Sequence, residues 1–197
     1  MKILPPSRPQ IKRRTVIAAI PPDVLKRDHV VVVGYRGYYE DSMGVPGIND
    51  RGIYDDAICI VEMPILPVGA AGDIIESGYF GTYNANTDPS YSDKQKPDVA
   101  LLTPGVHPYR PGNHGISKPG GGYPAFRPAT PNEGLPVTRS GRPSVGIAIN
   151  IHKGGYNGTS SLGCQTIYPD QWDSFQTTLT MLLKRYGQKT FQYVLVA

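Results

Sequence analysis

The stretch that most constrains this chain runs from Val145 to Trp172, VGIAINIHKGGYNGTSSLGCQTIYPDQW. It begins as an apolar run of strand character that ends on His152. It continues through a Gly/Ser/Thr/Asn loop carrying Cys164, and Pro169 and Asp170 then open a helix. A strand fixes the direction of its side chains, and glycines let a second segment of chain come close to it. His152 and Cys164 are twelve residues apart, so they do not share a helix face, and the loop must fold back to bring them together. Gly154, Gly155, Asn157, Gly158 and Gly163 supply the turn and left-handed conformations that such a fold-back needs. An imidazole held beside a thiol is the minimum apparatus of a cysteine nucleophile and its base. Gly163 leaves room for a substrate carbonyl beside the backbone, and the amides around Cys164 then serve as oxyanion donors. The competing reading makes Cys164 a small buried hydrophobe, as free cysteines usually are. So polar and glycine-rich a neighbourhood argues against it.

The run Ile149-Asn-Ile-His152 followed by Ser161-Leu-Gly-Cys164 resembles the catalytic motif of the L,D-transpeptidase (YkuD-like) family, a strand ending on His and a [Ser/Thr]-His-Gly-Cys element. Leu102-Thr-Pro-Gly-Val106 is similar to the T-P-x-G-x-[FY] stretch that precedes that site, so the resemblance covers about the C-terminal half. It implies a β-sandwich-like catalytic domain with Cys164 as nucleophile, His152 as general base, and Ser161 and Gly163 as the motif's hydroxyl residue and glycine. The chain departs from the pattern at Leu162, where the family usually has His, and at Thr166, where it usually has Arg or Asn. Its His-to-Cys loop is also shorter by a few residues. The longer string through Gln165, Thr166 and Trp172 resembles stand-alone members of phage or antibacterial-effector type. The implied chemistry is acyl transfer at peptidoglycan stem peptides, with water or an amine as acceptor and no cofactor or metal. Thr166, Gln165, Tyr156, Arg127 and His114 are the expected substrate contacts, Arg127 meeting a carboxylate.

With 23 glycines and 20 prolines in 197 residues, and strand-like runs scattered throughout, the chain reads as a loop-rich, mainly β (α+β) protein. The length suits a single buried domain, expected over 15–197 with its catalytic half from about residue 100, preceded by a basic, Pro-rich arm over 1–14 that is extended or mobile. A net charge of +4 favours acidic partners. No nucleic-acid motif or dense Lys/Arg stripe accompanies it, so no nucleic-acid partner is expected. Cys59, in the apolar run Asp56-Ala-Ile-Cys-Ile-Val61, reads as core packing rather than as a disulfide partner of Cys164. The N-terminal apolar run, Thr15 to Ile20, is too short for a signal peptide or a membrane span. The expectation is a protein made in the cytoplasm that acts on the cell wall by assisted delivery, through a holin, a secretion system or a virion.

Strands are expected at Thr15 to Ile20, His29 to Tyr35, Ile58 to Glu62, Gly78 to Asn84 and Phe191 to Val196, and Leu101 to His107 begins the catalytic half. The Gly34 to Asp56 segment, dense in Gly, Tyr and acids, reads as a folded surface loop bordering the groove, since its carboxylates fit no calcium-loop spacing. The 94–98 stretch reads as a solvated charge cluster and 118–123 as a flexible segment. Trp172, Phe175, Leu179, Leu182, Leu183 and Tyr186 recur at helical spacing, and Gly187 ends that helix. Three other functional classes stay open. His107, His114 and His152 compose a zinc triad for a cell-wall amidase, although no His-Glu-x-x-His pair supports it. A non-catalytic cell-wall-binding or virion protein on the same scaffold is another. The third is an ordinary cysteine peptidase acting on proteins, which no Cys-Gly-[Ser/Ala]-Cys or Gln-Ala-Cys context supports.

Overall fold

The computed structural model describes residues 2–63, 77–92, 94–96, 99–117 and 119–197. Residues 97 and 98 of the charge cluster and Lys118 of the glycine-rich segment lie outside that set.

The chain does not start on a strand. Arg13–Ala18 forms a helix (α1), and Pro22–Arg27 a second one (α2) with Pro22 in its first turn, where a missing N–H costs nothing. The strand expected over Thr15 to Ile20 is therefore a helical turn. Val16, Ile17, Ile20 and Val24 are buried together, a three-to-four-residue spacing that a β-branched run conceals.

Val30–Tyr35 (β1) carries four consecutive valines that are all fully buried. Val30 and Val32 face the central core, whereas Val31 and Val33 face α1 and α2 together with Cys59, Val61 and Val194. Asp56–Glu62 (β2) and Phe80–Asn86 (β3) follow, then a two-residue strand Leu101–Leu102 (β4), Gly105–His114 (β5) and Tyr123–Pro128 (β6). Gly134–Arg139 (β7), Arg142–Ile147 (β8), Ile151–Lys153 (β9), Gln165–Ile167 (β10), the helix Pro169–Arg185 (α3) and Phe191–Val196 (β11) complete the chain.

Eight strands close into a barrel in the order β1-β11-β5-β6-β9-β10-β3-β2, and β4-β7-β8 form a separate sheet. The mainly β class is as the composition suggests, but the expected sandwich is instead a barrel, because β2 pairs with both β1 and β3 and leaves no open edge. The terminal strand β11 is central, parallel to β1 and antiparallel to β5.

Helix α3 supplies much of the core. Trp172, Phe175, Leu179, Leu182 and Leu183 pack against Ile58, Ile60, Tyr83, Phe126 and Ile151, each large side chain stabilising by about 1.5–3 kcal/mol. Gly187, with φ 62°, follows its C-cap. No described helix is long and apolar enough to cross a membrane.

The N-terminal arm is held in place. Tyr54 N–H donates to Ile3 O at 2.8 Å, Asn84 and Tyr39 side chains donate to Ser7 O, and Arg8 lies over the Tyr83 ring. Buried Arg13 donates to the carbonyls of Glu62 and Tyr79.

Candidate active site

The stretch from Val145 to His152 is two strands, not one. β8 ends at Ile147 in the small sheet, Ala148 adopts φ 54°, and β9 resumes at Ile151 in the barrel. This break builds the thiol's seat. Asn150 N–H donates to Cys164 Sγ at 3.3 Å, and the thiol donates to Ala148 O at 3.7 Å. A continuous strand would have spent both backbone groups on a ladder.

The fold-back is a parallel pairing of β9 with β10, Gln165 opposite Ile151 and Thr166 opposite His152. Parallel neighbours need a crossover of about a dozen residues, which residues 154–164 supply. Ser160, with φ 56°, makes the tight turn in that crossover. The loop is tied down by Tyr54 Oη to Gly155 O (2.7 Å), and Ser90 exchanges backbone and side-chain bonds with Ser161. The 34–56 segment thus borders the His-to-Cys loop through Tyr54.

Three side chains from three segments converge. A ring nitrogen of His114, a ring nitrogen of His152 and Cys164 Sγ all lie within 4.8 Å of one another. Strand alternation puts His114, Tyr123 and His152 on the outer face of the barrel, with Phe126 and Ile151 pointing to the core. His152 is buried, and its Nδ1 lies 2.7 Å from Lys153 O and 3.0 Å from Tyr123 Oη. A carbonyl only accepts, so Nδ1 carries the proton and Nε2 keeps the lone pair. Asn150 Nδ2 donates to His114 Nδ1 at 3.0 Å.

Burial sets the charge state. It pushes the His152 imidazole down to about 4, helped by His114 and opposed by the Lys153 carbonyl. Burial likewise pushes the Cys164 thiol up to about 11, opposed by the Asn150 N–H and the field of Arg127. At neutral pH the pair rests as thiol and neutral imidazole, the charge state for general-base activation rather than a preformed ion pair.

Other expected contacts are used inside the protein. Ser161 Oγ accepts from Gly163 N–H (2.9 Å) and donates to Cys164 O (2.6 Å), so it shapes the turn. A Cβ on Gly163 would sit 2.6 Å from Ala100 O, so the space there belongs to the neighbouring segment and not to a substrate carbonyl. Gln165 points into the core, bonded to Tyr193 Oη and Gly163 O. Thr166 is fully buried, and its Cβ lies on the Tyr54 side of Gly154. Arg127 is buried, bonded to Glu133 and, at 2.7 Å, to Asn113 O, which leaves it poorly placed to meet a substrate carboxylate. Tyr156 is exposed and donates to Asp170. His107 is not part of the imidazole pair. It lies seven residues from His114 on β5, an odd separation that turns it to the opposite face, where its Nε2 contacts Thr103 O.

With Gly163 N–H bound to Ser161 and Gln165 N–H to Asn150 O, the described residues give no acceptor to the Cys164 N–H, which is the available oxyanion donor. Asn150, Tyr123 and the Ala148 carbonyl were not foreseen. Reading 115–122 as a hairpin turn would have set Tyr123 opposite His114, and so beside the site. Comparison with protein-family models, curated proteins and solved structures gave no match.

Proposed function

We propose that this protein is a cysteine acyltransferase acting on bacterial peptidoglycan stem peptides, with Cys164 as nucleophile and His152 as its base. The observation that carries the reading is the tautomer of His152. Its Nδ1–H is committed to Lys153 O, which leaves the Nε2 lone pair to receive a proton, and a nitrogen of this ring lies within 4.8 Å of Cys164 Sγ. The substrate class rests on the sequence resemblance of the C-terminal half. The exposed Leu162 stands where that family places a histidine, and here the second imidazole comes from β5 instead.

In the proposed reaction the S–H bond turns from Ala148 O toward His152 Nε2. The sulfur attacks the stem-peptide carbonyl as the proton passes to Nε2, and the Cys164 N–H stabilises the oxyanion. The C–N bond breaks, the imidazolium protonates the departing amine, and a thioester remains. Water then gives L,D-carboxypeptidase or endopeptidase products, whereas an amine gives transpeptidation or D-amino-acid exchange, and the thiol is restored either way. Such a substrate lies outside the membrane, so delivery by a holin, a secretion system or a virion belongs to the proposal.

A second reading is a zinc centre, because two imidazoles and a cysteine sulfur within 4.8 Å of one another are also a zinc donor set. Digestion of tetrapeptide and cross-linked muropeptides, with and without a strong chelator, separates the two. Loss or exchange of a terminal D-alanine that resists the chelator and vanishes in Cys164→Ala supports the cysteine mechanism. Chelator-sensitive turnover supports the metal. No product under either condition refutes both.

A further inference from the structure

Away from the thiol, the 36–55 segment covers more buried negative charge than positive. Asp55 and Asp56 are fully buried and Asp88 nearly so. Among the described residues Arg36 is the guanidinium paired with them, through Asp88 at 2.8 Å. Asp56 is satisfied by the Gly37 and Thr87 amides. Asp55 is half satisfied, because Oδ2 accepts from Asp50 N–H at 2.7 Å while buried Oδ1 has no hydrogen-bond partner. Leaving an anionic oxygen buried and bare is among the costlier things a fold can do.

A second observation points to the same place. Asn86 is fully buried, yet both its amide oxygen and its nitrogen lack partners. The register sets it beside Asp55. Asp56 pairs with Ala85 in the antiparallel β2–β3 ladder, so the next residue along each strand, Asp55 and Asn86, fall opposite each other. On its other side Asn86 pairs with Thr166, whose buried Oγ1 is also unpartnered. Asn49 adds a fourth bare oxygen. It is joined to Asp88 by its Nδ2 and adjoins Asp50, whose amide binds Asp55.

Four bare oxygens, one of them a carboxylate's, beside three buried aspartates and one paired guanidinium are hard-cation chemistry. We propose that this buried cluster of unpartnered oxygens binds a calcium-class divalent cation through Asp55 Oδ1 and Asn86 Oδ1, with Asn49 and Thr166 as the remaining protein oxygens. The cation offsets the charge and pins the 36–55 segment to β3 and β10. The cluster adjoins the active-site strand, since Thr166 on β10 pairs with His152 on β9, but the proposal does not depend on the chemistry of the thiol.

The test is calcium titration of the chelator-treated full chain, followed by thermal unfolding and by calorimetry, with magnesium as comparator. A saturable rise in Tm of several degrees at one equivalent is expected, with Asp55→Asn weakening binding by at least about tenfold. Asn86→Leu should abolish the response, and the near-isosteric Asp55→Asn carries the test if the Leu variant fails to fold. No response to either ion overturns the proposal. So does a response that neither substitution changes, since the cation then sits elsewhere. A metal-free Asp55→Asn protein as stable as wild type in excess calcium, with wild type unresponsive, also overturns it and assigns the cluster a proton instead.

Discussion

The imidazoles of His114 and His152 lie stacked, with ring centroids 4.1 Å apart and planes inclined by 22°. Two rings in that contact cannot both be protonated cheaply, and His152 is the one burial keeps neutral. An unfolded imidazole takes up its proton near pH 6.5, whereas folded His152 does so only near 4. Between those values the unfolded chain binds more protons, so stability falls as pH drops. Relative to His152→Asn, wild type should lose up to about 3 kcal/mol between pH 7 and pH 4, read from urea unfolding of both proteins across that range. A difference that stays flat with pH would contradict a neutral, buried His152.

The thiol makes the opposite prediction on the alkaline side. With Cys164 pushed up to about 11, its thiolate fraction at pH 7 is about a hundredfold below that of an ordinary cysteine. Alkylation by iodoacetamide should therefore be slow at pH 7, climb about tenfold per pH unit up to about pH 10 and level off near pH 11. Cys59, buried against α1 and pushed up to about 12, should stay unlabelled in the folded protein, as peptide mapping would show. Fast labelling independent of pH between 6 and 8 would mean a thiolate–imidazolium pair instead.

Ser161 is a turn-shaping residue in this structure. Its Oγ bridges Gly163 N–H and Cys164 O, and Ser161→Ala leaves the buried amide bare. The expected loss is about 1–3 kcal/mol in chemical denaturation, with lower turnover because Cys164 shifts. Unchanged stability together with a raised KM would return Ser161 to a substrate-binding role.

Arg127 and Glu133 form a largely buried ion pair, with Nε to Oε1 at 2.7 Å. Glu133 keeps Arg110, whose Nη2 lies 2.8 Å from Oε1, so Arg127→Leu does not strand the carboxylate and should cost about 1.5–3 kcal/mol, the worth of a hydrogen bond to a charged group. KM for any turned-over peptide should stay close to wild type at a temperature where the variant is folded. A stable variant with a large KM defect would restore the carboxylate-binding role that the sequence suggested.

How much of this was legible in the sequence depends on how local the information is. The strand over Val30 to Tyr35, the helix carrying Trp172 to Leu183 and the terminal strand followed from periodicity, because each buries a face that its own residues define. The Cys–His proximity followed from a glycine-rich loop between a strand and a helix. Barrel closure was not legible, since it depends on which edges of β2 find partners. The break at Ala148 was hidden inside an apolar run that reads as one strand, and it is what aims Asn150 N–H at the sulfur. Arg127 looked available because nothing local says that Glu133, six residues on, folds back onto it. His114 was placed near the groove, but its stacking on His152 follows from the β5–β6 hairpin and not from spacing.

The most direct measurement of the central claim is intact-protein mass spectrometry of the wild-type chain quenched in acid during incubation with a tetrapeptide muropeptide. The account predicts a transient mass increase equal to the acyl portion of the donor, released by hydroxylamine and mapped to the peptide containing Cys164. It should be absent in Cys164→Ala and should accumulate far more slowly in His152→Asn. Turnover without any adduct in wild type, or an adduct that persists in Cys164→Ala, would contradict Cys164 as the nucleophile.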